Sequence, residues 1–227
     1  MFEREIELIG KDKFERLKKV SVMVIGIGGV GGYAVESLIR AGIHNIIIVD
    51  FDIVDITNKN RQIIATDKTI GKKKVEVMKD RIHDINKDVN VDIIDYKLTS
   101  DNIEDIFKYN IDFLIDACDD IKVKEQIILK CLKNNIDFIS SMGTGNKLNS
   151  SLLKICELKN TSYDPLAKRL RKFAKENNIN SKIWVVSSEE RPIKTNNSKV
   201  LTMNTVCATA GLLCSSYVIN KVIDMGG

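Results

Sequence analysis

The sequence predicts an α/β fold: a mostly parallel sheet with helices on both faces, extended by antiparallel strands in the C-terminal part. Three observations predict it. Near-continuous β-branched runs alternate with longer helical patterns through residues 1–145, the order that crossover units produce. A glycine-rich turn joins the first run to the helix behind it. After Gly145 the pattern changes to an alternating run and a helix with a strongly charged outer face. The chain has 227 residues, 44% of them apolar, enough to bury one sizeable core. With no internal repeat and no marked linker, a single domain is expected over 1–227, with 1–145 as its core and 146–227 as an extension.

Each element has a local cause. Lys11 to Lys19 reads as a charged helix with Phe14 and Leu17 inward. Val20-Ser21-Val22-Met23-Val24-Ile25 is a strand of the buried type. Val30 to Ala41 is a helix stopped by Gly42, and Asn45 to Asp50 is the second strand. A helical pattern from Gly71 to Asn86 precedes a third strand, Val89 to Asp95. Strands at Ile111 to Asp116 and Asp137 to Ser141 flank a helix from Lys122 to Lys133. Ser151 to Leu158 alternates as an edge or antiparallel strand does. Asp164 is an N-cap with Pro165 at the first helical position, opening a helix to about Asn177. Lys182 to Ser188 is another strand, and Arg191 to Lys199 a polar loop expected to be disordered. Thr205 to Ile223 is an apolar, small-residue-rich helix expected against the sheet.

Composition removes several classes. A net charge of +4 neither requires nor excludes a nucleic-acid partner. Five cysteines without a C-x-x-C pair suggest neither a disulfide framework nor a zinc tetrad. The charged start, Met1-Phe2-Glu3-Arg4-Glu5, lacks the apolar core of a signal peptide. No stretch reads as the roughly 20 apolar residues of a membrane span. A cytoplasmic, reduced protein with no membrane partner is expected.

Gly26-Ile27-Gly28-Gly29-Val30-Gly31-Gly32 holds G-x-G-x-x-G between a strand and a helix, the context of a Rossmann-like nucleotide site. Gly26 makes the tight turn, Gly28 lets the backbone approach a phosphate, and Gly31 lets helix and strand pack closely. The helix N-terminus offers unpaired N–H groups to an anion. Asp50, about 20 residues beyond Gly31, ends the second strand, where a carboxylate reaches ribose hydroxyls. NAD and FAD enzymes share this loop, so the nucleotide must be read elsewhere. Asp50-Phe51-Asp52 is followed by Asn58, by Arg61-Gln62 and by Gly71-Lys72-Lys73-Lys74, and the fourth strand ends in Asp116-Ala117-Cys118-Asp119-Asp120. Hydride transfer has no need for an Arg and a Lys converging on a phosphate chain, nor for a metal-ready carboxylate beyond the fourth strand. Attack on the α-phosphate of ATP needs all of them. Cations neutralise the triphosphate, and Mg²⁺ bridges its oxygens from a carboxylate.

The order G-x-G-G-x-G, D-x-D, N-x-x-R-Q, G-x-x-K and D-x-x-D resembles the adenylating domain of the ubiquitin-activating-enzyme superfamily, over residues 1 to about 145. Its bacterial members include the molybdopterin- and thiamine-pathway activators. The resemblance puts Gly28 and Gly29 on the phosphates, with Gly26 and Gly31 shaping the loop, and Asp50 on the ribose with Asp52 beside it. Asn58, Arg61 and Lys74 fall on the triphosphate and Asp119 on the magnesium ligand, so Arg61, Lys74 and Asp119 are the catalytic candidates. Asn58-Lys59-Asn60-Arg61-Gln62, the run from Asp164 to Arg171 and Val186-Ser187-Ser188-Glu189-Glu190 are similar to the tRNA threonylcarbamoyladenosine dehydratase branch. That similarity implies ATP-dependent cyclisation of the threonylcarbamoyl group on an adenosine of tRNA. The threonine carboxylate is adenylated, after which an internal nucleophile closes the ring and expels AMP. The implied cofactors are ATP and Mg²⁺. The implied partners are tRNA, a second copy in a homodimer, and sulfur-transfer proteins.

Superfamily members often send an N-terminal arginine across a dimer to the partner's ATP, and F-x-R with Leu8-Ile9-Gly10 behind it fits Arg4 to that role. Two departures stand out. Asp120 replaces the Asn that closes the D-x-x-D-N pattern. The paired C-x-x-C motifs of the ubiquitin-like activators are missing, which favours the tRNA branch over sulfur-carrier activation.

On the helix after Pro165, Leu166, Leu170 and Phe173 form an inward stripe, and Lys168, Arg169, Arg171, Lys172 and Lys175 cover the remainder. These cations read either as a solvated face or as a track for tRNA phosphates. Cys207 reads as a small apolar residue in a buried helix rather than a nucleophile. Cys118 is expected to pack under the nucleotide, and His44 and His83 stand without ligand partners. Three alternatives remain: an activator of a ubiquitin-like sulfur-carrier protein, a nicotinamide-dependent oxidoreductase, and a non-catalytic scaffold.

Overall fold

The computed structural model describes residues 1–195 and 200–225. Its elements in chain order are α1 (Glu3–Ile9), α2 (Lys11–Lys19), β1 (Ser21–Ile25), α3 (Gly31–Arg40), β2 (Asn45–Val49), α4 (Lys74–Ile85) and β3 (Asn90–Ile94). Then follow β4 (Phe113–Asp116), α5 (Ile121–Asn134), β5 (Asp137–Ser141), β6 (Leu153–Glu157), α6 (Pro165–Glu176), β7 (Trp184–Ser188) and α7 (Asn204–Asp224). Seven strands form one sheet in the order β3-β2-β1-β4-β5-β7-β6. All neighbours are parallel except β6 against β7. The C-terminal part therefore adds a single reversed strand at the edge. β7 runs with β5, because the chain between them makes one full crossover through β6 and α6.

Alternation along β1 builds the two layers. Val22 and Val24 join the apolar cluster beneath α2, α3, α4 and α7, while Met23 and Ile25 join the one beneath α5 and α6. From β1 the chain runs outward to β2 and β3, then returns to place β4 on the other side of β1. That reversal opens a crevice at the carboxyl ends of β1 and β4.

Three features depart from the expected pattern. Helix α1, which has no element in the sequence reading, has no fully buried residue but packs Ile6 and Ile9, with Phe2 ahead of it, half-buried against the core. On α6 the inward face is Ala167 and Leu170, with Leu166 and Ala174 at its margin, and Phe173 is only half-buried. Helix α7 is long and apolar enough, by length and composition, to cross a membrane. Thr, Asn and Ser punctuate it, so it does not read as an unbroken apolar run. Here Val206, Ala210, Cys214, Val218 and Val222 are buried, packed with α3 and the sheet. A Cβ on Gly211 would stand 2.2 Å from the Val30 carbonyl oxygen, so this close crossing requires glycine. Of the polar loop expected to be disordered, residues 196–199 lie outside the described residues.

Candidate functional site

A cavity of about 910 Å³ opens over the carboxyl ends of β1, β2 and β4, a size suited to a nucleotide with part of a second substrate. The glycine loop forms its floor. Gly26 has φ +87°, and a Cβ there would stand 2.8 Å from the Ala117 carbonyl oxygen. A Cβ on Gly31 would stand 1.8 Å from that of Gly26. Neither position tolerates a side chain. Gly28 and Gly29 line the cavity. Helix α3 begins without a side-chain cap. The Gly32 N–H donates to the Gly28 carbonyl at 3.1 Å, and the N–H groups just ahead of it are the ones placed to meet an anion.

Asp50 is built in more deeply than a strand-end carboxylate suggests. Its side chain is 7% exposed. Oδ2 accepts from the Ile27 N–H at 2.7 Å and Oδ1 from the Asp52 N–H at 2.9 Å. Burial pushes its carboxyl above the usual range, outweighing the cation of Lys74 nearby. Lys74 is itself buried, with Nζ 2.7 Å from Asp52 Oδ2 and 4.0 Å from Asp50 Oδ1. The structure thus places Lys74 with the two carboxylates, at the β2 end of the cavity.

The segment after β2 brings the next residues. Asn58 is buried, and its Oδ1 accepts from the Asp55 N–H at 3.0 Å in a reciprocal cap. Arg61, half-buried, donates to the Thr57 carbonyl at 3.1 Å and to Asn60 Oδ1 at 2.9 Å. Asn60 donates in turn to the Thr202 carbonyl at 3.2 Å. Gln62, which the sequence shows only as part of a motif, lines the cavity, and its buried Oε1 has no partner among the described residues. Opposite, Asp119 is exposed at the rim. Asp120 caps α5, accepting from the Lys122 and Val123 N–H groups at 2.9 and 3.3 Å. Asp and Asn serve equally in that role, so the departure at 120 leaves the loop intact.

Beneath this loop Lys124 and Asp116, both fully buried, pair at 2.9 Å. Lys124 also donates to Ser140 Oγ and the Ser141 carbonyl, tying α5 to β5. Burial disfavours its charge, but Asp116 more than restores it, and its pKa lies above the usual lysine value. Arg4 lies exposed on α1, outside the cavity of its own chain.

The family model described as the ThiF family matches residues 2–226. This chain belongs to the ThiF family. Among ThiF-family relatives, it is 42% identical to the tRNA threonylcarbamoyladenosine dehydratase of Bacillus subtilis over 85% of this chain and 76% of that protein. It is 36% identical to the Escherichia coli dehydratase over 74% of this chain and 63% of that protein. The crystal structure of the E. coli tRNA N6-threonylcarbamoyladenosine dehydratase TcdA in complex with AMP matches with a TM-score of 0.92 at 31% identity. That match covers 97% of this chain and 92% of the other. TcdA has also been crystallised with ATP.

No group of three or more His, Cys, Asp or Glu placed to hold a metal occurs among the described residues of this ThiF-family chain. Asp119 offers a carboxylate at the rim opposite the glycine loop, next to Asp120, whose Oδ1 caps α5. That donor set fits Mg²⁺ delivered with a triphosphate, since the ion then takes most of its ligands from phosphate and water.

The sequence shows nothing of the cavity's far wall, which residues 141–145 and 200–202 form with Leu166 and Cys207. Its chemistry is that of backbone, small polar and aliphatic side chains brought from distant parts of the chain. Cys207 Sγ is 3.5 Å from Thr144 Oγ1, and burial raises its pKa. Cys118 donates to Asp116 Oδ1 at 3.0 Å, and burial pushes its thiol well up. On α6, Lys168, Arg169, Lys172 and Lys175 are exposed. Arg171 is half-buried and donates to the Thr161 carbonyl at 3.0 Å and to the Thr161 hydroxyl.

Proposed function

We propose that this chain is an ATP-dependent dehydratase that cyclises threonylcarbamoyladenosine in tRNA. One observation carries the reading: the glycine loop, Asp50, Arg61, Lys74 and Asp119 converge on one cavity at the carboxyl edge of a parallel sheet. The ThiF-family kinship and the likeness to a dehydratase solved with AMP and with ATP support it. The triphosphate lies along residues 26–31 and the first turn of α3. Asp50, with Asp52 beside it, takes the ribose hydroxyls. Asn58 and Arg61 meet the phosphate oxygens, and Lys74 adds positive charge between them and the two aspartates. Asp119 would hold Mg²⁺, which would supply charge neutralisation on the phosphates.

A carboxylate oxygen of the threonine moiety attacks the α-phosphorus, the α–β bridging bond breaks, and pyrophosphate leaves. A nucleophile on the same substrate then attacks the acyl carbon and gives up its proton. The ring closes, and AMP departs with the former carboxylate oxygen. Arg61 stabilises the charge that gathers on the phosphate in the first step. No protein nucleophile is required.

The reading treats 1–227 as one domain in the cytoplasm, with 1–145 binding ATP and 146–227 placing the tRNA. The exposed cations of α6 follow the tRNA backbone. Two copies pair so that Arg4 reaches the partner's ATP. Any sulfur-transfer partner would have to act without an activated thiol here, since burial raises the pKa of both Cys118 and Cys207. The test is pyrophosphate release with ATP, Mg²⁺ and tRNA bearing threonylcarbamoyladenosine. Release that depends on this tRNA supports the reading. Release driven instead by a Gly-Gly-ended carrier protein assigns the cavity to sulfur-carrier activation.

A further inference from the structure

The two C-terminal motifs, at 164–171 and 186–190, both end on one turn, residues 143–149. Asp164, at the start of α6, reaches it through an ion pair. Lys147 Nζ is 3.2 Å from Asp164 Oδ2 and 2.5 Å from the Gly143 carbonyl oxygen, and each charged side chain is 1% exposed. Asp164 also caps α6, its Oδ1 accepting from the Ala167 N–H at 2.9 Å. From the end of β7, the Glu190 carboxylate accepts from the N–H groups of Leu148 and Asn149, at 3.1 and 2.9 Å. Between these anchors Asn146, left-handed at φ 57°, exchanges two hydrogen bonds with Leu201. The near half of the turn, residues 143–145, is wall of the cavity. Gly143 is held close, since a Cβ there would stand 3.0 Å from Asp164 Oδ2.

A charge pair buried this deeply adds little stability, because desolvation cancels most of its attraction. What it does provide is a fixed geometry, with one ammonium donating both to the cavity wall and to the cap of the basic helix. We infer that Lys147 is a positioning residue, acting through Gly143 and Asp164. It sets the placement of α6 against the reacting end of the cavity, so that a tRNA lying along α6 presents its carboxylate in line with the α-phosphate. The inference rests on the proposed function. A misplacement of about 1 Å is enough to cost ~10²-fold in rate while binding persists.

Removing one partner would strand a buried charge, so the test uses neutral pairs. Lys147→Met/Asp164→Asn deletes the bond to the Gly143 carbonyl and keeps an N-cap acceptor. Lys147→Gln/Asp164→Asn returns a neutral donor. Pyrophosphate release with threonylcarbamoyladenosine-bearing tRNA is followed at varied tRNA and ATP, with thermal unfolding alongside. The Met variant should lose about 10- to 100-fold in kcat with both KM values within about two-fold of wild type, and the Gln variant should recover much of the loss. Wild-type kcat in the Met variant overturns the inference. So does a rise in both KM values with kcat unchanged, or failure of both variants to fold, because each makes the pair a structural strut. A wild-type protein that releases no pyrophosphate with this tRNA overturns the proposed function itself, and the inference with it.

Discussion

Asp50 answers two demands with one carboxylate. It orders the glycine loop through the Ile27 and Asp52 N–H groups, and in the proposed reading it takes the ribose. Burial, the largest influence on it, raises its pKa. Between the ordinary aspartate value and the raised one, the folded chain therefore holds more protons than the unfolded chain, and stability falls as the pH rises through that window. Asp50→Asn should flatten that slope and bind ATP more weakly. It keeps one acceptor for Ile27 but turns its amide NH2 to the Asp52 N–H, so it should lose stability, though less than alanine does. Asp50→Ala should lose about 1–3 kcal/mol, because it leaves loop N–H groups without an acceptor. Thermal unfolding across pH, with ATP titration, checks both variants.

Arg61 is half-buried and Asp119 exposed, so alanine at either should spare the fold. Each change should slow tRNA-dependent pyrophosphate release by ~10²–10³-fold, and a near-wild-type rate would remove that residue from the site. Lys74→Ala should lose both activity and stability, since it leaves Asp50 and Asp52 without their cation. Cys207→Ser should keep cyclising activity, because burial raises the pKa of the thiol and the substrate carries its own nucleophile. A well-folded but inactive Cys207→Ser protein would point to sulfur-carrier chemistry instead.

In the proposed reading, helix α6 is the element on which tRNA binding depends. Lys168→Gln/Lys175→Gln alters two exposed positions, so the unfolding midpoint should hold. The slope of log tRNA affinity against log salt should shrink by about one per cation removed, and an unaltered slope would make this a solvated face. Arg171→Ala should behave differently, costing stability through Thr161 with little change in slope. The sequence does not separate Arg171 from its neighbours, because its partner sits in the turn before the helix, beyond the reach of periodicity. Elements that carry their own period or cap are legible, as in the β-branched run of β1, the buried Phe14 and Leu17 of α2, and the Asp164-Pro165 start of α6. α1 is harder to read, because its stripe of Phe2, Ile6 and Ile9 is short and only half-buried, and Phe173 misleads because Ala167 and Leu170 take the inward face of α6. The nucleotide side of the cavity is legible because its residues fall in motifs of fixed spacing on the segments that follow β1, β2 and β4. The turn at 143–149 is not, since its function lies in which distant groups hold it.

At the scale of the whole molecule, strand order decides where the chemistry sits. β1 and β4 are neighbours whose connections lead away from each other, and the crevice between their ends receives the glycine loop from one and Asp119 from the other. The C-terminal part closes the same cavity. Cys207 Cβ on α7 comes within 3.3 Å of the Cβ position of Gly29, and residues 143–145 and 200–202 stand opposite. One cavity thus has a nucleotide wall and a second wall braced by the basic helix. The central claim is that it adenylates and then cyclises a nucleoside within tRNA. Mass spectrometry of nucleosides tests it most directly, using threonylcarbamoyladenosine-bearing tRNA incubated with the protein, ATP and Mg²⁺, and Arg61→Ala as control. Conversion of threonylcarbamoyladenosine to a species lighter by one water, with matching AMP and far less conversion by Arg61→Ala, is the predicted result; unchanged nucleosides in the presence of folded, ATP-binding wild-type protein would contradict it.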